Sequence, residues 1–500
     1  MSAAPPEPAT IVIFGGSGDL SKRKLLPALY ELDVQGQLPT GTCIVGYART
    51  GESDETYRTE VKAAVAEFAR IQPVDETKWK SFESRLFFFR GDLNQPANYA
   101  GLKTRLETIE KTRGIPGNRI FYLAIPPSMI GTVVQNLGSA GFVYPADGGP
   151  WSRVIVEKPF GRDLETARAL NEKLSHVFHE RQIFRIDHYL GKETTQNILV
   201  FRLGNGIFEP LWNRRYVDHI QITVAESIGV ENRGRFYEEA GVLRDIIQNH
   251  VLQLLCLVAM EPPVAFDPDS VRDEKVKVLK CIQPQTPDEI IRDTVRGQYG
   301  AGAIGGQPVA GYRSEKDVNP MSLRETYAAW KVQVENWRWA GVPFYLRAGK
   351  RLAKRVTEIA IQFKTPPISL FRQVGAMKQE PNALILRIQP DEGIALKFGA
   401  KEPGPVMKVD PVTMDFRYSE FFGASQPEAY ERLLMDAMHG DSTLFARRDE
   451  VEAAWERVTP LLDVWRDNPP LDHPNYEAGT WGPDAAVALL ARDGRRWRRP

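Results

Sequence analysis

Cysteine is scarce. Cys43, Cys256 and Cys281 are the only three in 500 residues, they lie far apart, and no CxxC occurs. That excludes a disulfide framework and a thiolate zinc site and suits a reducing, cytoplasmic setting. A charge excess is also missing: Lys+Arg and Asp+Glu both total 64. Nothing therefore draws the chain generally to nucleic acid or anionic lipid, and neither is expected as a partner. Long hydrophobic runs are absent too. The most apolar helical stretch, 251–260, contains Gln253 and falls short of the roughly 20 residues that a membrane span needs. The opening MSAAPPEPAT has neither the basic nor the apolar region of a secretory signal. What is present, 42% hydrophobic and 26% charged residues, is enough for a sizeable core. The length favours two large domains of an enzyme.

The first 190 residues alternate short apolar runs with helical patterns. Strands are expected at 10–14, 42–47, 86–90, 120–125, 153–156 and 182–186, with helices such as 22–32 and 163–178. Continuous apolar strands separated by helices predict a parallel sheet covered on both faces, an α/β Rossmann-type domain over 1–190. Pro27 weakens the first helix, because proline removes an amide donor. Beyond 190 the strands alternate apolar and polar residues, at 219–225, 330–335, 357–363, 382–389 and 394–398. Alternation predicts a large antiparallel sheet in an α+β domain over 191–500. A long apolar helix at 241–260 interrupts it, and helices at 428–438 and 450–465 follow. The glycine-rich stretch 297–311 reads as a surface loop, and RDGRRWRRP at the end as a solvated tail.

IVIFGGSGDLSKRK reads strand, glycine turn, helix. Gly15, Gly16 and Gly18 allow a sharp turn and a close approach to a phosphate. Ser17, Asp19, Leu20, Ser21 and Lys22 lead into a helix whose free amides would face that phosphate. Ser21 stands where a third glycine is usual, and a purely structural turn is the competing reading. After the second strand, VGYARTG has no acidic residue before Glu52. Arg49 suits a 2′-phosphate, so NADP is expected over NAD, which remains a poorer acceptor. A solvated arginine is the alternative. Asp92 and Leu93, after the third strand, sit where an adenine pocket is expected. Tyr122 lies on the fourth strand, just before its IPP end at the sheet's carboxyl edge.

Two segments are dense in reactive groups. VEKPFG sets Glu157 and Lys158 behind the fifth strand, either to meet a ligand or to form an ion pair. RIDHYLGKE offers Asp187, His188, Tyr189 and Lys192; the last three suit a phosphoryl group. In RDIIQNHVLQ, Asp245 and His250 lie about 140° apart on an α-helical wheel and are not face neighbours. His250 sits on an apolar arc, which reads either as a satisfied core histidine or as a base at a domain interface. His176 and His179 share a helix face but have no third ligand nearby, so no metal is expected.

These segments, with GYART, FYLAIPP, RDEKVKVLK, VRGQYG, NWRWAGVPFYLRAGKRL and YEAGTWGP, run nearly end to end. Together they resemble the glucose-6-phosphate dehydrogenase family. The resemblance implies oxidation of glucose 6-phosphate at C1 to 6-phosphoglucono-1,5-lactone with hydride transfer to NADP, the opening step of the oxidative pentose phosphate route. It implies His250 as general base, Asp187 as its support, and Lys158 meeting both substrate and cofactor. It implies His188, Tyr189 and Lys192 on the phosphate, and Glu226 and Asp245 on sugar hydroxyls. Lys350 and Arg355 complete the pocket. The same family implies a homodimer or homotetramer, with the larger domain at the dimer interface. Val356 and Ala360 stand where certain relatives carry basic residues for a second, structural NADP, so none is expected. Two alternatives stand open: a Rossmann dehydrogenase of an unphosphorylated sugar, and a silent NADP-binding regulator.

Overall fold

The computed structural model describes residues 6–51, 53–146, 148–368, 380–405, 407–423 and 428–500. It divides into two compact units. The first holds the residues up to Gly191, and it also takes in Ala265–Arg272 and a late stretch ending at Glu452. A single boundary near 190 does not capture that return of the chain.

The first unit is built on β1 (Thr10–Phe14), β2 (Cys43–Ala48), β3 (Leu86–Arg90), β4 (Arg119–Leu123), β5 (Ser152–Glu157) and β6 (Ile183–Ile186). All six are parallel, in the order β6-β5-β4-β1-β2-β3. This is the doubly wound dinucleotide-binding order. β1 and β4 are entirely buried, as a sheet covered on both faces requires. A two-residue strand, Phe445–Ala446, adds antiparallel to β6. The helix before it, Ala429–His439, sinks Leu433, Leu434, Ala437 and Met438 into the core around Ile11 and Ile13. Arg153 caps its end, donating to the carbonyls of Ala437 and Met438 at 2.8 and 2.6 Å.

That helix also brings together two buried carboxyls. Glu431 lies against Glu31 of the helix Leu26–Val34, and both are almost fully enclosed. Glu31 accepts the amides of Arg70 and Ile71, Glu431 accepts Gln35 and the Glu428 amide, and Arg70 lies beside both acids. Burial first, then the neighbouring Glu431, pushes the Glu31 carboxyl up to about 7.

The second unit carries β7 (Val217–Ala225), β8 (Thr294–Gly297), β9 (Tyr299–Gly300), β10 (Gly302–Ile304), β11 (Gln307–Val309), β12 (Tyr327–Gln333), β13 (Pro343–Gly349), β14 (Val356–Phe363), β15 (Ala383–Gln389), β16 (Gly393–Lys401) and β17 (Val409–Arg417). Eight of them form one sheet, β17-β16-β15-β14-β7-β13-β12-β8. It is antiparallel except for β7 on β13, which run parallel. The glycine-rich stretch is not one loop. β10 and β11 form a hairpin turned by Gly305 and Gly306, both at positive φ, a Gly-Gly signal for a tight hairpin. The arginine-rich end is not a solvated tail either. Arg495 grips Asp218, Arg498 pairs with buried Glu358 at 2.9 Å, and Trp497 and Arg347 stack. Arg495 and Arg498 are thus committed to partners on β7, β13 and β14.

The apolar helix is also longer than its core pattern. The helical run Glu231–Ala259 has the length and composition of a membrane span, but 94% of its apolar window is buried inside the protein. It packs against β7, β12 and β13. The run has four parts: 3₁₀ turn Glu231–Arg233, α-helix Gly234–Val242, π-helix Leu243–Val251 and α-helix Leu252–Ala259.

Because the Glu31 carboxyl holds its proton more tightly when folded, it favours the folded state at low pH, and this contribution is lost between about pH 4.5 and 7. Glu31→Gln mimics the neutral carboxyl. Thermal melts should show it close to wild type near about pH 5 and more stable near about pH 8, with a flatter pH dependence. Equal pH slopes would remove Glu31 as the titrating group.

Candidate active site

The glycine turn follows β1 directly. The amides of Gly15 and Gly16 both donate to the Tyr47 carbonyl on β2, at 2.9 and 3.1 Å, and the Gly18 amide donates to Gly15 at 2.8 Å. Gly15 has φ +86°, and a Cβ there would stand 2.2 Å from the Ala124 carbonyl oxygen; one on Gly16 would stand 2.6 Å from the Gly46 Cα. Glycine is thus required by close approach of the strands themselves. The helix that follows opens as a wide π-turn, Ser21–Leu25, before the α-helix Leu26–Val34. The Leu26 amide reaches back five residues to Ser21. A wider turn gives the Pro27 ring room against the preceding carbonyls.

Ser21 is buried, and Leu20 packs on the core. Lys22 pairs with Glu60 at 2.9 Å, and Asp19 lies 3.9 Å from Arg23. Arg49 stands exposed just past β2. It makes no ion pair with a described residue; Glu52 lies outside those residues. Asp92 shapes the turn after β3, its carboxylate accepting the Asn94 amide at 2.9 Å, while the Leu93 carbonyl accepts Tyr99 and Asn136. Tyr122 is fully enclosed, and its hydroxyl donates to Glu157. It belongs to the unit's interior, which the sequence reading of a cofactor residue did not anticipate. Burial pushes the Glu157 carboxyl up to about 7, against the pull of Tyr122, Lys158 and Tyr430. Lys158 itself is half-buried at the end of β5, before a cis bond to Pro159.

The segment after β6 is a tight turn stapled by its own aspartate. Asp187, 2% exposed, accepts the Tyr189 amide at 3.0 Å through its carboxylate and the Leu190 amide at 3.0 Å through its carbonyl. His188 is half-buried, its ring 5.1 Å from that of Tyr189.

In the second unit, Lys192 donates to Gln389 at the end of β15 at 2.8 Å, a partner the sequence did not reveal. Glu226 follows β7, and its carboxylate receives the Lys350 ammonium at 2.6 Å. Lys350 is only 4% exposed. Beside them Tyr237 is buried, and burial together with the nearby charges of Asp245, Glu226 and Glu325 holds its hydroxyl well above the usual range. Asp245, Glu226 and Lys350 therefore share one neighbourhood. Arg355 is exposed just ahead of β14.

Asp245 and His250 both lie in the π-helical segment, both buried. Hydrogen bonding from i to i+5 widens each turn and brings residues five apart toward one side. The 140° separation drawn from an α-helical wheel does not apply. A buried imidazole and a carboxylate on one side of one segment can share a proton-transfer task.

The comparisons with known proteins agree along the whole chain. A family model described as "Glucose-6-phosphate dehydrogenase, NAD binding domain" matches residues 12–197, and one described as its "C-terminal domain" matches 199–498. The chain is 50% identical to the glucose-6-phosphate 1-dehydrogenase of Aggregatibacter actinomycetemcomitans, covering 99% of this chain and 98% of that one. It is 49% identical to that of Chlamydia pneumoniae, covering 98% and 96%. A solved "Glucose-6-phosphate dehydrogenase in complex with its substrate glucose-6-phosphate" superposes with a TM-score of 0.89 at 40% identity over 100% of both chains. The enzyme from Mycobacterium avium gives 0.83 at 35% identity over 99% of each. A Rossmann sheet, a large mixed sheet and full-length similarity at this level have one meaning: this chain belongs to the glucose-6-phosphate dehydrogenase family.

Proposed function

We propose that this chain oxidises glucose 6-phosphate at C1 to 6-phosphoglucono-1,5-lactone, with NADP as the preferred acceptor. The observation that carries the reading is the neighbourhood of Asp245, Glu226 and Lys350 on the unit that also bears His250. An alcohol oxidation needs one base, and a sugar needs acceptors for its hydroxyls. His250 takes the C1 hydroxyl proton, which drives departure of the hydride and leaves no task for a metal. Asp187 steadies the imidazolium so formed. His188, Tyr189 and Lys192 hold the phosphoryl group, Glu226 and Asp245 accept sugar hydroxyls, and Lys350 and Arg355 add positive charge.

The cofactor's fit rests on the turn after β1 and on the charge of Arg49. The first amides of a helix have no carbonyl behind them and suit a pyrophosphate. Arg49 is exposed, with no ion pair among the described residues, and suits a 2′-phosphate. Lys158 lies at the same carboxyl edge of the sheet and orients substrate against the ring. When bound, the nicotinamide supplies the hydride acceptor.

The reading extends to a cytoplasmic homodimer or homotetramer. The edge strand β17 and the residues behind it leave Val412, Met414, Phe421 and Phe422 exposed, an apolar face suited to a second copy.

The first experiment follows reduced nicotinamide with glucose 6-phosphate, free glucose, NADP and NAD in parallel. Turnover with the phosphosugar and NADP well ahead is expected; turnover of free glucose alone would turn the reading to an unphosphorylated sugar, and cofactor binding without turnover would overturn catalysis. In the same assay His250→Asn should lower kcat by about 10²- to 10⁴-fold with little change in KM. Near-normal kcat would move the base elsewhere. Arg49→Ala should raise KM for NADP about 10- to 100-fold and leave NAD nearly unchanged. Equal losses with both would remove the 2′-phosphate assignment.

A further inference from the structure

Lys350 is held from several sides, and the reading above does not use all of them. Its carboxylate partner is Glu226 at 2.6 Å. Its backbone carbonyl accepts the Tyr476 hydroxyl at 2.8 Å. Its ammonium lies 5.2 Å from the centre of the Tyr237 ring. Tyr476 comes from the YEAGTWGP segment, to which no chemical task had been given. Tyr237 comes from the helix Gly234–Val242, one turn before Gly241, whose φ of +67° breaks the run.

Tyr237 is 1% exposed, and its hydroxyl oxygen is buried with no hydrogen-bond partner among the described residues. A buried, unserved hydroxyl is a cost to folding. The ring is what the surroundings use. One neighbour is Tyr312, edge-on at 6.2 Å, and another is the Lys350 ammonium. A cation over an aromatic face in a desolvated site is held more firmly than one at the surface. A lysine stem has four rotatable carbons, so one carboxylate alone does not define where its charge points.

We propose that Tyr237 is a positioning residue of the substrate pocket: its ring face fixes the Lys350 ammonium beside Glu226, and its hydroxyl takes no part. The proposal rests on the reading that Lys350 meets the substrate. Glu226 orients one side of the ammonium and the ring another, leaving the remaining donor direction for an anionic oxygen of the phosphosugar. The contact serves ground state and transition state alike, so its loss acts on KM rather than kcat.

The test compares Tyr237→Phe, Tyr237→Leu and Tyr237→Met, the last filling the space with a flexible side chain. Tyr237→Phe should keep wild-type KM. The two variants without a ring should raise KM for glucose 6-phosphate about 5- to 30-fold with kcat within about twofold. An unchanged KM in both, or an equal rise in Tyr237→Phe, overturns the proposal. A second measurement does not depend on activity. Thermal melts of Tyr237→Leu, Lys350→Met and the double variant should give losses smaller than additive, since both single changes break one contact. If the wild type fails to turn over glucose 6-phosphate, the functional reading fails. The melts then decide the ring contact by themselves, and additive losses overturn it.

Discussion

The first unit depends on how closely its strands approach at their carboxyl ends. The turn after β1 has both of its first amides on one carbonyl of β2. There is no room for a Cβ on Gly15 or Gly16, and Gly46 faces the Tyr57 ring with equally little space. Once that approach is made, the chain must leave β1 in one direction, and the helix that starts at the turn has its amide end at the sheet's edge. Arg49, Asp92 and Lys158 then follow the ends of β2, β3 and β5 along the same edge, where open α/β sheets receive ligands.

The second unit answers a different demand. It must bury charged groups without leaving them unserved. The π-helical segment Leu243–Val251 is buried apart from Arg244, yet it carries Asp245, Gln248, Asn249 and His250. π-turns are rare and concentrate at functional sites, where they re-aim side chains at the expense of regular bonding. Lys350, nearly inaccessible, is tolerable because Glu226 and an aromatic face meet it. Buried charge with defined partners is a poor source of stability and a good source of geometry.

Much of this was legible from composition and pattern. β1 and β3 fall where the apolar runs put them, because each is a short, nearly continuous apolar run set off from its flanks. The glycine turn, the RIDHYLGKE turn and the helix around His250 were also visible. The rest was hidden for particular reasons. Strands as short as β10 and β11 leave too little alternation to read, so the stretch 297–311 looked like one loop. A hydrophobic arc at helical spacing does not distinguish an α- from a π-helix, so the angle between Asp245 and His250 was misjudged. The terminal arginines look the same whether solvated or paired with Asp218 and Glu358. The Glu31–Glu431 pair joins residues 400 positions apart, and neither acid carries a local mark of its partner. Tyr237 drew no notice in the sequence, since nothing near it announces Lys350.

The return of the chain to the first unit has a consequence for synthesis. The helix Ala429–His439 supplies part of that unit's core, and Phe445–Ala446 closes the open edge of β6. Domains generally form in the order in which they leave the ribosome. Here the amino-terminal unit waits for a segment that ends at Glu452 of 500 residues. Until the helix Ala429–His439 and the strand Phe445–Ala446 are made, it carries an unpaired strand edge and an uncovered apolar face. A segment that ends about nine-tenths of the way along the polypeptide thus completes the unit that was begun first.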